Sequence, residues 1–291
     1  MKLLGSSKLQ GRNNSLRHRI RRIVTRLRAD YPRRMPDFLV IGASRSGTTT
    51  LNRILGSHPE VFVPAGELHY FDNDALYAPD LAGYRGLFGG YTGQPVIGEV
   101  TPSYCDKGAL YDARGKMCTG LDDDPIRRIA RAMPDVRLVM SLRDPLSRIR
   151  SMYLKNFSQG KFSYSLQEAL ELERSGIPVV RFLGRSDYKA NVENILAHFP
   201  RENLKIMIFE EWTRDQARAI PDLFAFLGAS PDVALKPVAS NDAGRYRKAE
   251  DTRTPDPDVS TETRRKLIED TRESTVWLEK FLGRELPWAK E

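Results

Sequence analysis

The sequence predicts an α/β protein of three layers, a central and mostly parallel sheet flanked by helices. From Asp37 onward, short apolar runs alternate with longer segments of helical period, the pattern of successive βαβ units. The short runs are of fully buried type, which suits strands covered by helices on both faces. A length of 291 residues exceeds the usual single domain but is common for α/β folds around one sheet, and it leaves room for an enclosed site.

Residues 1–34 come first and stand apart. They hold 11 Lys or Arg against one acid, Asp30, a net charge of +10, whereas the whole chain carries +8. The body therefore sums to −2, and the high isoelectric point describes an arm rather than a nucleic-acid-binding body. Leu16, Ile20, Ile23, Val24 and Leu27 recur at helical spacing, with Arg17, Arg19, Arg21, Arg22, Arg26 and Arg28 between them. This is a basic amphipathic helix, either docked on the body or meeting an acidic acceptor, a membrane surface or a partner. Pro32 and Pro36 separate it from residues 35–291, read as one domain.

Within that domain the expected strands are Phe38–Ile41, Val96–Val100, Val136–Leu142 and Leu204–Phe209, with a shorter extended piece at Val61–Pro64. Helical periodicity covers Thr49–Leu55, Ile126–Ala132, Leu146–Phe157, Leu166–Glu173, Tyr188–Phe199, Ala217–Leu227 and Thr261–Leu282. Ser240–Asp258 is polar and reads as a long loop of the kind that carries function. Two cysteines, Cys105 and Cys118, are too few for a disulfide scaffold, though they could form one bridge. With neither a signal-peptide run nor a membrane-length apolar stretch, the expectation is a soluble, cytoplasmic protein.

The run Phe38-Leu39-Val40-Ile41-Gly42-Ala43-Ser44-Arg45-Ser46-Gly47-Thr48-Thr49-Thr50 is a buried strand, a glycine-bracketed turn and a helix start. Backbone amides and the helix dipole converge there on one spot, an anion cradle. The spacing Gly42-x4-Gly47 is that of a nucleotide-triphosphate loop, but Thr48 stands where such a loop needs lysine to span two phosphates. The centre is thus P-loop-like without its lysine, and Arg45 supplies a cation inside the turn instead. A second anion site follows the strand Val136–Leu142. Asp144 can cap a helix that starts at Pro145, which fixes Arg143 at the C-terminal edge of the sheet, with Ser151 about two turns on.

With Glu67-Leu68-His69-Tyr70-Phe71-Asp72 and Gly98-Glu99-Val100-Thr101-Pro102-Ser103-Tyr104, these segments make four motifs in one order. In them the chain resembles the sulfotransferases that use 3′-phosphoadenosine 5′-phosphosulfate (PAPS), nearest to the heparan sulfate and carbohydrate type, from about Asp37 to the C-terminus. The resemblance implies a metal-free enzyme that transfers a sulfuryl group from PAPS to a hydroxyl or amine, releasing adenosine 3′,5′-bisphosphate. It implies Ser44, Arg45, Ser46, Gly47, Thr48 and Thr49 at the 5′-phosphosulfate, Arg143 and Ser151 at the 3′-phosphate, and Arg245, Arg247 and Lys248 as a basic loop closing over it. Two positions depart from the heparan type: Arg45 replaces the usual loop lysine, and Val100 replaces a second lysine.

On the acceptor side, an extended backbone would turn Glu67, His69 and Phe71 to one face, a carboxylate, an imidazole and a ring around a common space. The resemblance makes Glu67 the favoured base and His69 the second candidate, with Arg45 aimed at charge on the leaving phosphate. The implied acceptor is a glycan or glycolipid, or else a small hydroxylated metabolite. Tyr104 and Tyr153 are read as core aromatics that could also stack on a base or sugar. Two other readings stand beside this one: a P-loop kinase or nucleotide hydrolase, disfavoured by Thr48, and a non-catalytic polyanion binder using the basic arm.

Overall fold

The computed structural model describes residues 34–108, 110–111, 117–118, 123–161, 163–177, 180–234, 238 and 259–288. The basic arm before residue 34 and the loop cations Arg245, Arg247 and Lys248 lie outside the described residues.

The strands are β1 (Phe38–Gly42), β2 (Val61–Phe62), β3 (Val96–Val100), β4 (Leu110–Tyr111), β5 (Met117–Cys118), β6 (Arg137–Leu142) and β7 (Leu204–Ile208). Five of them form one sheet in the order β2-β3-β1-β6-β7, and every pairing in it is parallel. The short β4–β5 pair is antiparallel and separate. The helices are α1 (Thr48–Ser57), α2 (Ala82–Arg85), α3 (Pro125–Ala132), α4 (Pro145–Ser158), α5 (Leu166–Arg174), α6 (Phe182–Ser186), α7 (Tyr188–Leu196), α8 (Phe209–Arg214), α9 (Gln216–Leu227) and α10 (Thr261–Leu282).

The period of two along each strand explains the unbroken apolar runs. Leu39, Ile41, Leu138, Met140 and Leu142 enter one core with Ile126 and Ile129 of α3, Val192 and Ile195 of α7 and Leu278 of α10. Phe38, Val40, Val100 and Val139 enter the other, with Leu51, Ile54 and Leu55 of α1 and Leu223, Phe224 and Leu227 of α9. Val100, at the position of the second lysine, is thus a core residue. A third cluster joins α4, α5 and α6 through Ile149, Met152, Leu170 and Phe182. Among the described residues, no helix is long and apolar enough to cross a membrane.

One strand ends earlier than expected. Phe209 opens α8 rather than closing β7, because its ring packs beside Gly47 and Trp212, and Glu210 and Glu211 suit a helix N-terminus. The short helices α2, α6 and α8 have too few turns to show a period in the sequence.

Candidate active site

β1 delivers the chain into the glycine-bracketed turn, and α1 leaves it. Gly47 caps α1 at φ 82 and ψ 9, a left-handed conformation that suits glycine. Space requires glycine as well, since a Cβ there would lie 2.6 Å from the Trp212 ring and 2.8 Å from that of Phe209.

Three successive carbonyls of the turn are drawn away from its mouth. Ser44 O accepts from Arg148 Nε at 2.8 Å, Arg45 O from Arg143 Nη1 at 3.4 Å, and Ser46 O from Ser141 Oγ at 2.6 Å. Trp212 Nε1 in turn donates to Ser141 Oγ at 2.8 Å. With their acceptors bound to β6 and α4, the turn and helix start keep their donors: the amides of Gly47, Thr48 and Thr49 have no protein acceptor among the described residues. The Ser46 hydroxyl is buried without a partner, Thr48 is buried and Thr49 exposed, while Ser44 Oγ donates to Pro102 O at 3.4 Å. This is a cradle for an anion.

Arg143 and Ser151 lie beside it. Asp144 caps α4, accepting from Ser147 N at 2.8 Å, and Pro145 is its first residue, as the sequence predicts. Arg45 sits at φ 73, and its Nε donates to Ser151 Oγ at 3.0 Å. The two half-sites, expected at opposite ends of a ligand, therefore touch through Arg45, whose guanidinium is engaged by α4. Burial pulls Arg143 below the usual guanidinium range; Glu210 and Asp144 oppose that shift, Arg45 adds to it, and Arg143 Nε is buried without a partner. An anion placed there would relieve two adjoining cations. Arg148, passed over in the sequence, is fully buried and also donates to Ser186 Oγ at 3.0 Å. Its signal was its spacing, three residues before Ser151 on the same helical face.

Across from the turn, His69 links two carboxylates. Its Nε2 lies 3.0 Å from Glu67 Oε2, and its Nδ1 lies 3.0 Å from Asp72 Oδ2. Asp72 is fully buried and also accepts from Ser103 Oγ at 2.5 Å. Burial acts to lower the His69 pKa, but hydrogen bonds and charge from Asp72 and Glu67 outweigh it and raise the value to about 10. With a carboxylate at each nitrogen the ring is an imidazolium, which donates twice and has no lone pair for a substrate proton. Glu67 is exposed, and its Oε1 has no protein partner among the described residues.

The backbone here is not extended. His69 is at φ 51, so side-chain alternation breaks, and Phe71 turns into the core instead of joining an acceptor wall. Tyr104 and Tyr153 are core residues too; the Tyr104 hydroxyl accepts from Tyr70 N at 2.9 Å, and that of Tyr153 donates to Tyr164 O at 3.1 Å. Asp72 meets His69 from within the second sequence motif, three residues on, whereas only the fold brings Ser103 of the third motif to them. Cys105 is a buried free thiol against Gly42, where an added Cβ would meet its sulfur at 2.1 Å.

Residues 101–105 join the two halves. Toward β1 and the turn, Thr101 N donates to Val40 O at 3.0 Å and Cys105 N to Ile41 O at 2.9 Å. Toward the other side, Thr101 Oγ1 accepts from Leu68 N at 3.1 Å and Ser103 holds Asp72. The family profile described as "Sulfotransferase domain" matches residues 35–242, from the segment before β1 through the whole of this site. The chain belongs to the sulfotransferase domain family.

Among curated sulfotransferases, mouse heparan sulfate glucosamine 3-O-sulfotransferase 6 is 29% identical over 202 residues, 67% of this chain and 53% of that protein. Human heparan sulfate glucosamine 3-O-sulfotransferase 3B1 is 23% identical over 278 residues, 88% of this chain and 65% of that protein. The chain thus spans about half to two thirds of the length of these relatives. A solved sulfotransferase from Alicyclobacillus acidocaldarius superposes with a TM-score of 0.67 at 24% identity, covering 87% of this chain and 98% of that one, which establishes the shared fold.

Proposed function

We propose that this sulfotransferase moves a sulfuryl group from PAPS to a hydroxyl or amine of a glycan acceptor. The observation that carries the reading is the hydrogen-bonded link through residues 101–105 between an anion cradle and a carboxylate with one open oxygen. The amides of Gly47, Thr48 and Thr49 and the Ser46 hydroxyl suit the 5′-phosphosulfate. Arg143 and Ser151 suit the 3′-phosphate. Glu67 Oε1 takes the acceptor proton as the acceptor atom bonds to sulfur, and the bond from sulfur to the phosphate oxygen breaks, leaving adenosine 3′,5′-bisphosphate. His69 serves as the cation that orients Glu67, held by Asp72, because its two nitrogens are already donors. Arg45, whose Nε donates to Ser151 Oγ, is the cation beside the leaving phosphate. Oriented donors of this kind act where transition-state charge develops.

A glycan is the acceptor class favoured by likeness to the two heparan sulfate glucosamine 3-O-sulfotransferases. Calorimetry with adenosine 3′,5′-bisphosphate in chelator, followed by mass spectrometry of candidate glycans incubated with PAPS, tests both halves. Binding together with an added sulfuryl group supports the reading. Absence of nucleotide binding removes it.

A further inference from the structure

Behind the catalytic segment lies a fully buried carboxylate that touches neither half of the site. Glu99 ends no salt bridge among the described residues; its partners are three hydroxyls. Tyr84 Oη donates to Oε1 at 2.7 Å, Thr101 Oγ1 to Oε2 at 3.0 Å, and Tyr104 Oη to Oε2 at 3.5 Å. Two of these hydroxyls have a second task. Thr101 Oγ1 accepts from Leu68 N at 3.1 Å, and Tyr104 Oη accepts from Tyr70 N at 2.9 Å and Phe71 N at 3.4 Å.

The segment carrying Glu67, His69 and Asp72 belongs to no sheet, so its amides rely on these hydroxyls rather than on a ladder. Burial raises the Glu99 carboxyl from 4.5 to about 7, with the hydrogen bonds from Tyr84 and Thr101 opposing the rise. Above that pH the ionised carboxylate accepts and cannot donate, so it turns the protons of Thr101 and Tyr104 toward itself and leaves their lone pairs to face the amides. A neutral group at this place could donate, and one hydroxyl would be free to turn round. We infer that Glu99 is a positioning residue: acting through Thr101 and Tyr104, it fixes the left-handed turn at His69 that brings Glu67, His69 and Asp72 into line. This rests on the reading of Glu67 as the proton acceptor. A left-handed non-glycine residue persists only where its surroundings determine it, and here three flanking amides trace back to one carboxylate.

Two controls separate positioning from mere stability. Glu99→Gln keeps shape and changes donor character, whereas Tyr84→Phe removes the shortest bond to Glu99 without touching the amides of Leu68, Tyr70 or Phe71. Amide hydrogen exchange on the full chain is read well above pH 7, where Glu99 is ionised, at those three residues, with the β1 amide of Val40 as reference. Glu99→Gln is expected to speed exchange at Leu68 and Tyr70 by about tenfold relative to Val40, the effect of about one hydrogen bond. Affinity for adenosine 3′,5′-bisphosphate stays unchanged, and kcat falls by about the same factor. Tyr84→Phe is expected to leave the exchange ratio at its wild-type value. Should Glu99→Gln fail to fold, Thr101→Val and Tyr104→Phe carry the test, each loosening its own amides. An unchanged ratio in Glu99→Gln, or equal loosening in Tyr84→Phe, overturns the inference. A wild-type chain that binds no nucleotide would instead defeat the sulfotransfer reading and leave the exchange result standing.

Discussion

Glu67, His69 and Asp72 divide one task by environment. Glu67 is exposed with an open oxygen, Asp72 is buried, and the imidazolium between them is bound at both nitrogens. Glu67→Gln is expected to lower kcat by about 10²–10⁴-fold with nucleotide affinity unchanged, read by comparing turnover with calorimetry. For Arg143→Ala the pattern reverses. Loss of a charge-assisted contact to phosphate, about 1.5–3 kcal/mol, should weaken nucleotide binding by about 10- to 100-fold. The pH dependence follows from the raised His69 pKa. A histidine raised from 6.5 to about 10 adds stability that is complete below 6.5 and is lost as pH rises through 10. The melting temperature of the wild type should therefore fall over this range, and Asp72→Asn should flatten that dependence. At this scale the sequence displayed the right residue types, yet it suggested a wall of Glu67, His69 and Phe71. A φ of 51 at one residue replaced Phe71 with Asp72, and no pattern of side chains announces such a turn.

At the scale of elements, the donor turn is held by β6, α4 and α8 rather than by its own glycines alone. Gly47→Ala sets a Cβ in the left-handed region against the Trp212 and Phe209 rings. The backbone cost alone is about 1–2 kcal/mol, so the denaturation midpoint should drop and nucleotide binding should weaken with it. Chemical denaturation beside calorimetry checks both effects on one sample. Elements with long periods were legible: β3 and α10 fall where the apolar pattern puts them. The helices α2, α6 and α8 were not, because four to six residues give at most two turns. Yet α8 supplies Trp212, whose indole steadies Ser141 against the donor turn.

For the whole molecule, the proposed donor site draws groups from β1, α1, β6 and α4, so a nucleotide bound there would tie together elements more than 100 residues apart in sequence, as the bond from Arg45 to Ser151 already does. Adenosine 3′,5′-bisphosphate at about a hundred times its dissociation constant should add about 2.7 kcal/mol to unfolding, seen as a concentration-dependent rise in melting temperature. The alternation of strands and helices, the glycine-bracketed turn and the Arg143–Asp144–Pro145 cap were all determined by sequence. Each depends on period, backbone conformation or capping between near neighbours, which local residues decide. Tertiary structure alone decided that the half-sites meet at Arg45, that Arg148 and Ser141 hold the turn's carbonyls, and that Glu99 stands behind the His69 turn. Those are contacts across 33 to 106 residues, and only the stacking of parallel strands brings such groups within hydrogen-bonding distance.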